Sequence, residues 1–309
     1  MSKNNEKVAY EFPQPAKKVT LSEFIYDPQN GTFFGRTGKN WGQLFFFYTI
    51  FYIVLAALFA ICMQGLLSTI ENDKPKWQLE SSLIGTNPGL GFRPLSEQTE
   101  RGGIIQFDAR KDAESDYWIE LINDFLDDYN NTEGRKVKHC DFNQNHKPTD
   151  VCLVDVNDLK GCSRENNYGY KTRQPCVFLK LNKIYGWNPE YYDSPANLPN
   201  DMPSSLKQRI NETNQLELQQ IWVSCTGHYG KDQENFDGIS YYPRQGFPAF
   251  YYPYLNQPGY LSPIVAVQFS RLPNNTLVEV ECRAWAKNII YSGRQRDRMG
   301  SVTFQLMVD

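Results

Sequence analysis

The chain has 309 residues, of which 40% are hydrophobic, 14% aromatic and 22% charged, with a formal net charge of −3. A near-neutral balance supplies no basic field to draw in nucleic acid, and the apolar share is too high for a chain that stays unfolded. Three histidines, His139, His146 and His228, leave little material for imidazole catalysis or an all-histidine metal site.

In chain order, residues 1–40 form a polar tail containing Pro13 and Pro15, read as largely flexible, with an ordered aromatic stretch near its end. From Asn40 to Ile70 there is no Asp, Glu, Lys or Arg, and Leu44 to Ile70 is almost wholly apolar. About 20 such residues suffice to cross a hydrocarbon layer of about 30 Å, so a transmembrane helix is predicted over residues 41–70. The run is too long, and starts too late, for a cleaved signal peptide. Six basic and four acidic side chains give the first 70 residues a net +2. The cationic flank is expected to remain in the cytoplasm, which makes the chain a single-pass, type II signal-anchor protein. Lys74 and Lys76 weigh the other way, but the cysteines and sequons agree with that orientation. Cys62 lies in the span, while Cys140, Cys152, Cys162, Cys176, Cys225 and Cys282 all follow it. Six cysteines on an oxidising side suit three disulfides, in any of fifteen pairings. The acceptor pattern N-x-[ST] falls at Asn130, Asn211 and Asn274, again beyond the span, whereas Asn30-Gly31-Thr32 precedes it.

Residues 71–114, with Pro75, Pro88 and Pro94, are read as a stalk and extended entry segment, and 115–309 as a disulfide-bonded, glycosylated extracellular domain. Trp118, Leu121, Ile122, Phe125, Leu126 and Tyr129 recur at spacings of three and four, predicting one amphipathic helix from Ser115 to Tyr129. Short β-prone runs follow at 176–187, 221–225, 264–270, 277–285 and 301–308. In the fourth, Val278, Val280, Cys282 and Ala284 alternate with Glu279, Glu281 and Arg283, the period of a half-buried strand. These runs predict a mainly-β extracellular domain, an antiparallel β-sandwich with one flanking α-helix. The proline-rich pieces near 189–203 and 243–258 are expected to be loops.

Chemistry finds little support. No nucleophile elbow, Walker loop or H-E-x-x-H motif occurs, and Cys140, His146 and Cys152 suit a disulfide better than zinc. Ser224 and His228, beside a strand cysteine, are given a structural role. No cofactor and no metal site are expected. What remains is aromatic density. Tyr48 and Tyr52 form a stripe with Phe45, Leu55 and Phe59 on the membrane helix, next to Ala56 and Ala60. Helices associate in lipid by close packing and interhelical hydrogen bonds, which favours a docking face over a simple interfacial belt. Phe250-Tyr251-Tyr252-Pro253-Tyr254 suits either a packed loop or a partner contact.

Taken together, FIYDPQNGTFFGRTGKNW (24–41), FYTIFY (47–52), YGYKTRQPCVFLKLNKIYGW (168–187), WVSCTG, FYYPY, YLSPIVAVQF and ECRAWAKNI closely resemble the beta subunits of the sodium/potassium-transporting ATPase, in the invertebrate, insect type. The likeness departs at Cys152-Leu153-Val154 and at Val137. It implies an immunoglobulin-like ectodomain and disulfides Cys140–Cys152, Cys162–Cys176 and Cys225–Cys282. It also implies that Tyr48, Phe51 and Tyr52 face the seventh transmembrane helix of the catalytic alpha subunit, with Tyr251, Tyr252 and Tyr254 toward that subunit's outer loops. The expected function is that of a noncatalytic regulatory subunit of a P-type ATPase. It would stabilise the alpha subunit as a heterodimer, with room for a small regulatory subunit, help it leave the endoplasmic reticulum and tune potassium affinity. The lipid bilayer is the other expected partner. The alternatives are the beta subunit of a proton/potassium pump, or an adhesion glycoprotein acting at cell contacts.

Overall fold

The computed structural model describes residues 20–97, 102–131, 134–234, 238–270, 272–293 and 299–309. Most of the N-terminal tail therefore lies outside the described residues. The chain divides after Ile70 into two units.

In the first unit, a helical turn (Leu21–Ile25) and a small meander of two-residue strands lead into helix α1, Gly38–Leu67. Thirty residues at 1.5 Å each make α1 about 45 Å long, enough to cross a bilayer at a tilt. The helix is apolar all round, and none of its residues is buried within the protein, the surface expected of a segment solvated by lipid or by another helix.

The second unit is a two-sheet sandwich. Its strands are β1 (Leu90–Arg93), β2 (Ile104–Phe107), β3 (Cys176–Leu181), β4 (Gln220–Gly227), β5 (Ile239–Tyr242), β6 (Gly246–Pro248), β7 (Ile264–Phe269), β8 (Val278–Trp285) and β9 (Ser301–Val308). One sheet runs β1-β3-β7-β5, antiparallel throughout. The other runs β2-β9-β8-β4-β6, in which only the β2–β9 pairing is parallel. The facing surfaces meet where Phe92 of β1 and Phe269 of β7 pack on Phe304 of β9, at 4.8 and 6.0 Å between ring centroids. β8 shows the expected alternation, with Val278, Val280, Cys282 and Ala284 buried and Glu279, Glu281 and Arg283 half-buried.

β3 and β7 are buried on both faces, because helix α2 (Asp112–Asn130) covers the outside of their sheet. Trp118, Ile122, Leu126 and Tyr129 are inserted, with Leu121 and Phe125 packed at the margin. Phe125 meets Phe178 of β3 at 6.2 Å. Two buried hydroxyls fasten the helix: Tyr168 donates to Asn123 Oδ1 (2.7 Å), and Tyr129 donates to the Ser262 carbonyl (2.9 Å). The helix begins three residues earlier than the apolar spacing predicts, since its first turn is acidic and caps the positive end of the helix dipole.

The segment expected as a stalk contributes β1 and β2, one edge strand to each sheet. A second helix, α3 (Ser204–Glu212), follows the proline-rich loop. It packs Leu206 and Ile210 against Met202, Trp222 and Trp285 on the outer face of the five-stranded sheet.

Candidate functional site

All six cysteines beyond the membrane helix are paired. Cys225 and Cys282 are directly opposed on β4 and β8. Cys162 joins a loop to Cys176 at the start of β3, and Cys140 to Cys152 closes a surface loop. His146 comes close to that last pair, but its sulfurs are bonded to one another and leave no thiolate for a metal. Ser224 accepts a hydrogen bond from the Trp285 indole (2.8 Å), while His228 faces Glu281 at 3.5 Å, so the two do not form a nucleophile and base. Asn130, Asn211 and Asn274 are all exposed; Thr132 of the first sequon lies outside the described residues.

On α1 the aromatic side chains form two neighbouring ridges. Tyr48 and Tyr52 stack at 6.3 Å, and Phe47 and Phe51 stack at the same distance. Successive residues lock the ridges together edge to face, Tyr48 on Phe47 and Tyr52 on Phe51, each at 5.4 Å. Tyr48, Phe51 and Tyr52 are each about half exposed or more. The result is a stiff, grooved surface bearing two phenolic hydroxyls within the apolar run, the kind of relief that another helix can fill while taking up the hydroxyl hydrogen bonds.

The FYYPY segment in the second unit divides between inward and outward roles. Phe250 packs on Phe142 (5.3 Å) and His146 (5.7 Å) of the Cys140–Cys152 loop. Tyr251 donates its hydroxyl to the Leu153 carbonyl (2.9 Å), and Tyr252 packs edge to face on Trp187 (6.0 Å). Burial raises the hydroxyl pKa of both. Tyr251 and Tyr252 thus hold the loop against the sandwich, with only part of each ring reaching the surface. Tyr254 donates its hydroxyl to the exposed Asn256 (3.0 Å).

Around Tyr254 the structure gathers residues that spacing alone does not. Tyr260 lies 4.9 Å away and Tyr185 6.5 Å away, while the Lys183 ammonium stands 5.1 Å from the ring of Tyr254 and 5.2 Å from that of Tyr260. Desolvation lowers the pKa of that lysine. The ammonium is held by cation–π attraction to both rings, which fixes the cluster. Its only signal in the sequence is the recurrence of tyrosine beside turn residues at 184–187 and 258–261.

A profile of the sodium/potassium ATPase beta chain matches residues 13–304. The chain belongs to that family. It is 69% identical over 312 residues, 100% of both chains, to sodium/potassium-transporting ATPase subunit beta-1 of Drosophila melanogaster. It is 44% identical to subunit beta-2 of the same fly, covering 96% of this chain and 94% of the relative. It is 30% identical to the human subunit beta-2, covering 93% of each. The family is that of a regulatory rather than a catalytic subunit, and membership implies partnership with the alpha subunit of the sodium pump. With one long apolar helix among the described residues, near the N-terminus, this family member is a single-pass membrane protein.

Proposed function

We propose that this chain assembles with the catalytic alpha subunit of the sodium/potassium pump, docking through the Tyr48, Phe51 and Tyr52 face of α1 and through the surface around Tyr251, Tyr252 and Tyr254. Residues 1–40 lie in the cytoplasm, 41–70 span the plasma membrane, and 71–309 are extracellular, with glycans on Asn130, Asn211 and Asn274. By covering polar and membrane-facing surface of a newly made alpha chain, the subunit lets it leave the endoplasmic reticulum. Because it binds one transport conformation more tightly than the other, it also shifts their balance and with it potassium affinity. A small regulatory subunit and the surrounding lipid complete the assembly.

The observation that carries this reading is the ridge of ring-stacked tyrosines, Tyr48 47% and Tyr52 60% exposed, on the membrane helix. Lipid tails offer no hydrogen-bond partner to those hydroxyls, whereas a second helix does. The test is affinity purification of the full chain in mild detergent. The unaltered chain brings the alpha subunit with it, and Tyr48→Ala with Tyr52→Ala reduces that recovery by about tenfold, the loss expected for about 1.4 kcal/mol of helix–helix contact. Undiminished recovery by the double variant counts against the docking face.

A further inference from the structure

The segment from Thr20 to Thr37 is folded but has no core of its own. Tyr26–Asp27, Thr32–Phe33 and Arg36–Thr37 form an antiparallel meander, with Tyr26 opposite Phe33 and Phe33 opposite Arg36. At one end the Asp27 carboxylate accepts hydrogen bonds from the backbone N–H groups of Gln29 and Asn30 and from the Asn30 side chain. That end is polar. At the other, Phe34 meets Phe33 and Phe24 edge to face at 4.7 and 6.1 Å. These three rings, with Ile25 and Tyr26, keep between 45% and 58% of their surface exposed. Phe34 has φ +50°, a backbone region that bulky residues seldom occupy. The chain holds an unfavourable conformation that displays aromatic rings instead of burying them.

One side-chain hydrogen bond ties this patch to α1. The Trp41 indole N–H, in the first turns of α1, donates to the Phe33 carbonyl at 2.7 Å. Trp41 precedes Leu44, the start of the apolar run, by three residues, or about 4.5 Å along the helix axis. That distance corresponds to the headgroup layer, where aromatic rings with polar edges are most stable. Lys39 precedes Trp41 by two residues on α1 and Arg36 precedes the helix by two, so both cations flank the end of the helix at which anionic headgroups would be met.

We infer that the Phe24, Phe33 and Phe34 patch is a second membrane contact, an interfacial anchor seated among the lipid headgroups where α1 enters the bilayer, with Arg36 and Lys39 binding anionic lipid. It fixes the depth of α1 and hence the height at which the tyrosine ridges meet a neighbouring helix. It does not depend on the identity of that neighbour.

The test uses the full chain carrying Cys62→Ser, reconstituted alone in phosphatidylcholine/phosphatidylserine vesicles, with a nitroxide at Phe34→Cys, Tyr26→Cys or Gln29→Cys. Collision rates with oxygen and with a water-soluble nickel chelate report depth. Labels at 34 and 26 should favour oxygen, as at headgroup depth, and the label at 29 should favour nickel, as in water. Adding Phe24→Ser and Phe33→Ser should raise nickel contact at 34 several-fold, toward the value at 29. Since the label at 26 leaves all three phenylalanines in place, a water-like signal there as well as at 34 overturns the anchor. So does a signal at 34 that the two serines leave unchanged. Shielding that appears only once the alpha subunit is added makes the patch a protein contact, and the lipid assignment falls.

Discussion

A crosslink between two residues that face each other on neighbouring strands acts mainly on the unfolded chain, by removing the entropy of an open loop. Cys225 and Cys282 are 57 residues apart in sequence, and a loop of that size corresponds to about 4 kcal/mol. Cys225→Ala with Cys282→Ala should therefore lower the unfolding free energy of the 71–309 unit by about 4 kcal/mol in urea denaturation. The same change at Cys140 and Cys152, 12 residues apart, should cost about 3 kcal/mol. Acid acts at a different residue. Asp108 is buried just before α2, and hydrogen bonds from the Arg110 side chain and backbone hold its pKa at about 2, below the ordinary 3.8. Its contribution to stability is complete above about pH 4 and is lost as the pH falls toward 2. Asp108→Asn should lower the thermal midpoint at neutral pH, and the gap from the unaltered protein should close across that window. The aspartate's role was invisible in the sequence, because nothing in the order Asp-Ala-Arg announces a buried carboxylate.

Elements were legible in proportion to their length and periodicity. α1 stands out because 31 successive residues lack charge, and α2 because its apolar positions recur over four turns. β8 and β9 follow the same logic with a period of two. The strands that escaped notice, β1, β2, β5 and β6, have only three or four residues each, beside glycine or proline, so no period can develop. Their partners lie far away in sequence: Leu90 pairs with Leu181, and Ile104 with Gln305. α3 was hidden for a similar reason, since only Leu206 and Ile210 face inward and its neighbours are polar. The packing of α2 gives the sharpest test at this scale. Trp118 is almost fully buried, and its indole N–H donates to the Gln106 carbonyl of β2 at 3.0 Å. Trp118→Ala should remove that bond and leave a cavity, costing about 3–5 kcal/mol in the same urea measurement. A loss below about 1 kcal/mol would mean that α2 is not a structural part of the sandwich.

At the scale of the whole molecule, one chain joins two environments with opposite demands. Its apolar helix needs no burial by its own domain, whereas the 71–309 unit is built around a closed core with three disulfides. The surfaces proposed for a partner are the tyrosine ridges on α1 and the aromatic surface at Tyr254, which Lys183 joins. The first was readable from helical spacing. The second was only half readable, because Lys183, Tyr185 and Tyr260 reach Tyr254 through folding alone. Orientation can be checked on intact cells: externally added protease should trim the C-terminal unit and spare an N-terminal tag. Assembly with alpha is tested by surface labelling of the sodium pump alpha subunit in cells that make no other beta chain, with and without this one. Alpha should reach the surface and drive rubidium uptake only when this chain is present. Equal surface delivery and equal uptake without it would mean that this chain is not the subunit that carries alpha to the membrane.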